Sequence, residues 1–460
     1  MKIKFCGAAK IVTGSCYHIT TNNKQILVDC GMFQGRKEIT KLNYEPFKFN
    51  PKKIDYVFLT HAHIDHSGLL PKLKKEGFKG KVFATTATKD LCKIMLEDSA
   101  NLQVREISYE NRRRRRNGLP EREPLYQVKD AKSIMSSFGK ILYNKTYRIT
   151  EGIKVRYRDA GHIIGSAIIE LYITEKNKEK KIVFSGDLGQ WDAPIIRDPT
   201  IIETADYVLI ESTYGDRLHE DIGIRDDLLL KYVKETYKKG GKLLIPSFAI
   251  ERTQELLYAF NKLIKDGKLP NEKIFLDSPL AIKATEIFKK HKEMYDAETL
   301  RKYKDPFNFK NLKYTLATEE SMKLNKLKGP HIIIAGSGMC TGGRIRHHFK
   351  HGIWDPKNTV LFVGYQAEGT LGRHIIEGEK KIRMMGIEVA VKADIKKINS
   401  FSAHADANEL IKWVLGFKKK PKKIFIVHGE EKSTIAIKSK LDKEGFETYI
   451  PELGEELTIK

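Results

Sequence analysis

The segment Thr60-His61-Ala62-His63-Ile64-Asp65-His66-Ser67-Gly68 places four metal-competent side chains within six residues. It follows directly on the apolar run Val57-Phe58-Leu59, so these ligands sit where a strand ends and the chain turns. Imidazole nitrogens and a carboxylate are the donors that borderline divalent ions such as Zn²⁺ prefer. From the turn, His61 and His63 can face one ion, while Asp65 and His66, opening the next helix, can face a second. A chain built this way has to bring strand ends from elsewhere to the same point.

Two further candidates occupy that position. His162 ends Asp159-Ala160-Gly161-His162 after the strand expected at 153–158, and Asp187 ends Ser185-Gly186-Asp187 after the strand expected at 181–184. A lone histidine or Gly-Asp pair is ordinary, but strand, small residue and ligand recur along the chain. In open α/β sheets, sites gather outside the carboxyl ends of strands. Asp29, in Leu27-Val28-Asp29-Cys30-Gly31, has a matching place and can orient a ligand from behind.

The rest of the chain reads as α/β. Strands are expected at 25–28, 54–59, 81–84, 153–158, 181–184, 207–210, 242–245, 273–276, 331–334, 359–363 and 423–427. Helices with apolar residues at three- and four-residue spacing are expected at 225–239, 252–266, 407–415 and 434–444. No apolar run is long enough to span a bilayer, and Lys10 interrupts any signal-peptide core. The five cysteines form no Cys-x-x-Cys pair, which disfavours a disulfide scaffold or zinc ribbon and points to a reducing cytoplasm. The formal charge of +24 over 460 residues favours a polyanionic partner. Five consecutive arginines at 112–116, followed by Asn117-Gly118-Leu119-Pro120, are expected to form a mobile loop that contacts a nucleic-acid backbone.

His-x-His-x-Asp-His, with His162, Asp187 and Asp29, resembles the dinuclear site of the metallo-β-lactamase superfamily. Glu211-Ser212-Thr213-Tyr214-Gly215, Gly369-Thr370-Leu371-Gly372-Arg373-His374 and Ser400-Phe401-Ser402-Ala403-His404-Ala405-Asp406 resemble motifs A, B and C of its β-CASP branch. That branch contains bacterial and archaeal relatives of the cleavage-and-polyadenylation endonuclease. The resemblance implies a metallo-β-lactamase αββα sandwich (1–208, returning at 381–460) with an inserted α/β β-CASP domain at 209–380. It implies two Zn²⁺ per chain, with Mn²⁺ an admissible substitute. His61, His63 and His162 would hold one ion, Asp65, His66 and His404 the other, and Asp187 would bridge. Asp65, Asp187, Glu211 and Asp29 then count among the catalytic carboxylates, and His374 stands near the scissile phosphate as general acid or phosphate contact.

Residues between Asp187 and His404 should form a second domain, with substrate entering between the two. There, Ala335-Gly336-Ser337-Gly338-Met339-Cys340-Thr341-Gly342-Gly343-Arg344 is neither Gly-x-Gly-x-x-Gly nor a P-loop. Ser337, Gly338 and Arg344 from it, with Arg252 and Arg373, are the candidate phosphate contacts. The resemblance also implies a chain without the extra C-terminal domain of RNase J-type members and without the KH modules of archaeal ones.

The implied activity is hydrolysis of RNA phosphodiesters by a two-zinc-activated hydroxide, chiefly endonucleolytic with room for 5′-to-3′ trimming, and a homodimer is allowed. Two ions bring +4 against −3 from Asp65, Asp187 and hydroxide, so the site stays positive where phosphate charge grows. A DNA nuclease of the crosslink-repair branch shares motifs A and B but typically carries valine in motif C, where His404 stands. A small-molecule metallohydrolase would lack the insertion, and a dead RNA-binding scaffold would not keep the ligands. No Gly-x-Ser-x-Gly elbow supports a serine mechanism.

Overall fold

The structure, a computed structural model describing residues 1–220, 222–269 and 273–459, separates into two units. The first comprises Met1–Asp192, Arg197–Leu218 and His404–Lys460, and the second Ala193–Ile196 and His219–Ala403.

Two seven-stranded sheets form the first unit among the described residues. One runs Glu456–Thr458, Lys2–Phe5, Tyr17–Thr21, Lys24–Val28, Tyr56–Phe58, Lys81–Ala84, Phe138–Lys140. The other runs Thr448–Tyr449, Lys423–Ile426, Tyr207–Ile210, Lys178–Phe184, Ala167–Glu175, Ile153–Asp159, Thr146–Thr150. Strand Ile153–Asp159 shows why they stack: its alternate residues Ile153, Val155 and Tyr157 are buried, as a half-covered sheet requires. These meet Phe5, Ile19, Val28 and Phe58 of the first sheet in one core with Ile169, Phe184, Leu209 and Phe425. Burying each such side chain contributes roughly 1.5–3 kcal/mol. On the second sheet's other face, Val208, Ile210 and Ile426 pack against Leu410, Trp413 and Ile437 of helices Ala407–Leu415 and Glu431–Lys443. Helix Thr86–Arg116 packs beside strand Phe138–Lys140 of the first sheet. The result is an αββα sandwich.

The second unit holds a six-stranded sheet in the order Leu312–Tyr314, Ile274–Leu276, His331–Ala335, Lys242–Pro246, Thr359–Phe362, Asp394–Lys397. Every pairing in it is parallel. His331–Ala335 and Thr359–Phe362 are buried at every position, as expected of parallel strands covered on both faces. Residues 381–403, expected in the returning segment, belong to this unit, because strand Asp394–Lys397 pairs with Thr359–Phe362.

Residues 112–116 are not a loop. They form the last turns of the 31-residue helix Thr86–Arg116. Like charges at i,i+4 cost about 0.2–0.5 kcal/mol per pair, but cations at a helix C-terminus oppose its dipole and recover a similar amount. Arg115 pairs with Glu121 at 3.0 Å, and Arg114 Nε donates to Pro120 O at 2.5 Å. No helix among the described residues is long and apolar enough to cross a membrane.

Candidate metal centre

Parallel register delivers the candidate ligands to one place. Val28 pairs with Phe58, so Asp29 and Thr60 follow side by side. In the other sheet Phe184 pairs with Leu209 and Ile210 with Ile426, which aligns the chain exits carrying Asp187, Glu211 and His428. Asp29 (φ 60°) and His428 (φ 51°) leave their strands in the left-handed region, a strained geometry common at functional sites. Glycine before Asp187 is needed because Gly186 has φ +55° and a Cβ there would lie 2.9 Å from Thr60 Cβ. Gly161 before His162 has φ +64°, and its Cβ would lie 2.6 Å from Arg197 O.

The first donor group is His61, His63, His162 and Asp187. His63 Nδ1 lies 3.1 Å from His61 Nε2 and 3.2 Å from His162 Nε2. Asp187 Oδ2 lies 3.4 Å from His61 Nε2 and 3.6 Å from His162 Nε2.

The second group is Asp65, His66 and His428. His66 Nε2 stands 3.1 Å from His428 Nε2 and 3.2 Å from Asp187 Oδ1, and His428 Nε2 stands 3.6 Å from Asp65 Oδ2. His428, rather than the expected His404, therefore completes it. His404 leaves the loop before helix Ala407–Leu415 and turns its Nδ1 to Glu211 Oε1 at 3.2 Å. It forms a third group with Asp187 and Glu211. His428 follows strand Lys423–Ile426 by two residues, so the strand-end recurrence that picked out His162 and Asp187 also marks it.

Hydrogen bonds behind the ligands fix their tautomers. His66 Nδ1–H donates to Asp29 Oδ2 at 2.7 Å, which turns Nε2 into the site. Thr60 Oγ1 donates to the same oxygen at 2.8 Å and accepts from His61 Nδ1–H at 3.0 Å. One threonine thus holds His61 directly and His66 through Asp29. Thr213 Oγ1, 3.1 Å from His428 Nδ1, does the same for the third. Glu211 Oε1 also accepts from Leu188 N at 2.7 Å, bracing the residue after Asp187.

Charge follows from burial and these partners. Burial holds the His63 imidazole down at about 4, although Asp65 and Asp187 pull upward. Burial and then His66 keep His61 well below the usual range. Burial would lower His66 too, but the Asp187 and Asp29 carboxylates outweigh it and hold this imidazole well above its ordinary value. Burial raises the Asp65 carboxyl, yet His428 and His66 bring it down to about 2. Burial would depress His404, but Glu211 raises it above the ordinary value.

These residues fit divalent metal ions. Tetrahedral coordination with Zn–N bonds of about 2.0–2.1 Å sets donor atoms about 3.3 Å apart, close to the separations in both groups. Asp187 Oδ1 is buried with no hydrogen-bond partner. A desolvated carboxylate oxygen facing inward-turned imidazoles is costly without a cation.

The remaining candidates lie in the second unit. His374 Nδ1 contacts Glu379 Oε1 at 2.7 Å, and Arg373 Nε donates to Glu377 Oε1 at 2.6 Å. Arg344 is not a ready phosphate contact, because its Nη1 donates to Asp277 Oδ1 at 2.7 Å and to Thr315 O at 3.0 Å, and its Nη2 to Leu316 O at 2.8 Å. Arg252 is likewise buried and donates to Glu255 Oε2 at 2.9 Å. Ser337 Oγ accepts from Gly342 N at 3.1 Å, and Gln366 Nε2 donates to Gly338 O at 2.9 Å, so this loop is closed on itself.

Family models match three stretches: the metallo-β-lactamase superfamily at residues 10–124, the β-CASP domain at 253–375, and the Zn-dependent metallo-hydrolase RNA specificity domain at 388–451. The chain is 37% identical to Ribonuclease TTHA0252 of Thermus thermophilus over all of both chains. It is 32% identical to an RNase J-like protein of Methanocaldococcus jannaschii, covering 99% of each. It is 31% identical to Transcription termination factor FttA of Methanosarcina mazei, over 96% of this chain and 69% of that one. A crystal structure of a protein of unknown function from Enterococcus faecalis V583 shares the fold, with a TM-score of 0.55 at 14% identity over 100% of this chain and 99% of that one. Motifs, donor groups and full-length similarity agree: the chain belongs to the β-CASP family of the metallo-β-lactamase superfamily.

Proposed function

We propose that this chain is a metal-dependent ribonuclease that cuts RNA phosphodiester bonds endonucleolytically in the cytoplasm, with one zinc ion in each of the first two donor groups. The observation that carries the reading is Asp187, whose Oδ2 faces His61 and His162 while its Oδ1 faces His66. One carboxylate spanning two donor groups is the geometry of a two-metal phosphodiesterase. Relatives named ribonuclease at full length and the charge of +24 support RNA as the substrate. When bound, the ions lower the pKa of water from about 16 toward roughly 7 and polarise a phosphate oxygen.

The chain's own residues do the rest. Asp29, Thr60 and Thr213 keep three imidazoles turned inward, so the donor set is preorganised. Glu211 orients His404 and favours its protonated form, which suits His404 to deliver a proton to the departing oxygen.

The test is purified protein incubated with 5′- and 3′-labelled RNA and matched DNA, with product lengths mapped over time. Internal RNA fragments are expected, and mononucleotides alone from the earliest points would overturn endonucleolytic cutting. Asp187→Ala and His63→Ala should each abolish cleavage with the fold intact. Activity above a few per cent in metal-analysed variants would sink the two-metal reading.

A further inference from the structure

The arginine run ends a helix whose other face is closed. Asn111 is buried and clamps the returning segment, donating to Arg122 O and accepting from Arg122 N, each at 2.9 Å. Arg114 and Arg122 share Glu110, at 3.9 and 3.0 Å, and Arg115 takes Glu121. Those cations are committed to the fold. At 3.6 residues per turn, Arg105, Tyr109, Arg112 and Arg116 form a stripe down the opposite side, with Arg113 at its margin. All five are exposed, Tyr109 at 69%. Among the described residues none of these four arginines has a carboxylate within ion-pair distance. Glu106 and Glu110 project about a quarter turn or more away from Arg105, Arg112 and Arg116, and they lie nearer Arg113 without an ion pair to it. The Arg112 guanidinium lies 5.2 Å from the centre of the Tyr109 ring, and Leu102, 47% exposed, continues the stripe toward the helix start.

We propose that this stripe is a docking site for single-stranded RNA, with Arg105, Arg112, Arg113 and Arg116 on successive phosphates and an unpaired base stacked on Tyr109. Guanidinium groups match phosphate in charge and geometry, and cations spaced along a helix face follow a backbone as an isolated patch does not. An exposed aromatic ring between cations is a stacking platform that accepts any base. It needs a free base face, which a duplex hides, so the occupant is a single strand. The site captures substrate without reading sequence. It rests on the ribonuclease reading of the metal centre and adds where the RNA is held.

The test measures fluorescence anisotropy of a labelled, unstructured, fully phosphorothioate RNA, which keeps its backbone charge and resists hydrolysis, against salt concentration. Three variants are compared with the parent: Arg105→Ser/Arg112→Ser/Arg113→Ser/Arg116→Ser, Tyr109→Ala, and a charge-matched control with the exposed Lys79, Lys145, Lys178 and Lys419 changed to serine. For single strands each lost phosphate contact flattens the slope of log K against log salt by about 0.7, so the four-arginine variant should lose up to about 3. Tyr109→Ala should weaken binding roughly tenfold with the slope unchanged. The lysine control should lose less slope than the arginine variant. Equal losses in those two variants would show diffuse charge attraction and overturn the stripe. Unchanged binding by Tyr109→Ala, with polyglutamate displacing the RNA from the parent, would make the partner an acidic polypeptide and overturn it as well. Parent protein that neither binds nor cuts RNA would instead refute the ribonuclease reading.

Discussion

Asp29 Oδ2 accepts a 2.7 Å hydrogen bond from His66 Nδ1, and both side chains are almost completely buried. This bond decides which nitrogen His66 turns toward Asp187. Asp29→Ala should leave the imidazole free to rotate or change tautomer, and loss of such a partner typically costs 10–100-fold in metal affinity. Chelator-competition titration should show one of the two ions weakened by about that factor, the ion at Asp65, His66 and His428. Equal affinity for both ions in the variant and the parent would contradict the assignment.

His428 and His404 make opposite predictions for metal content. His428→Ala removes a donor from the second group and should cut bound metal toward one ion per chain, with cleavage lost. His404→Ala leaves the second group whole, so two ions should remain while cleavage falls by about 10²–10⁴ through loss of the proton donor. Elemental analysis alongside RNA cleavage checks both. One ion in His404→Ala and two in His428→Ala would restore the ligand set that the motif resemblance implied.

Much of this site was legible in the sequence because its ligands follow strands. Val57-Phe58-Leu59 ahead of His61 and the run ending at Phe184 ahead of Asp187 are dense with β-forming residues, and each is followed by a ligand type. The same pattern stands at Val427-His428, but His404 carried a motif and took the place in the ligand set. Only the register of Ile210 with Ile426 shows which of the two histidines reaches Asp65. The arginine helix was hidden for another reason. Local repulsion among residues 112–116 is visible in sequence, whereas the carboxylates of Glu110 and Glu121 and the clamp by Asn111 depend on a return segment whose path is tertiary. Arg344 was misread likewise, since Asp277 lies 67 residues away in the chain.

That Asp277 is the hub of a buried network in the second unit. It accepts from Arg344 Nη1 at 2.7 Å, Ser321 Oγ at 2.6 Å and His348 Nε2 at 2.6 Å. Removing one member of a buried ionic network strands its partners, typically at about 3–5 kcal/mol. Asp277→Ala should destabilise the protein by that order in urea unfolding, with bound metal unchanged. A loss under about 1 kcal/mol would mean that the network is neutral on balance.

Asp159, three residues before His162, should give the protein a pH-dependent weakness. Burial pushes its carboxyl from 3.8 up to about 7, against the Gly161 N–H, 3.1 Å from Oδ1, and the more distant Arg197 guanidinium. The folded value lies above the unfolded one, so the folded chain holds this proton more tightly. The stability it contributes is complete below about pH 3.8 and is lost as pH rises through about 7. At 1.36 kcal/mol per pKa unit the whole effect is up to about 4 kcal/mol. Asp159→Asn keeps the acceptor for Gly161 N and carries no charge at any pH. The variant should match the parent near pH 4 and exceed it increasingly up to pH 8 when both are unfolded in urea with metal in place. A stability difference that stays flat across that range would show that Asp159 ionises in the fold at no cost.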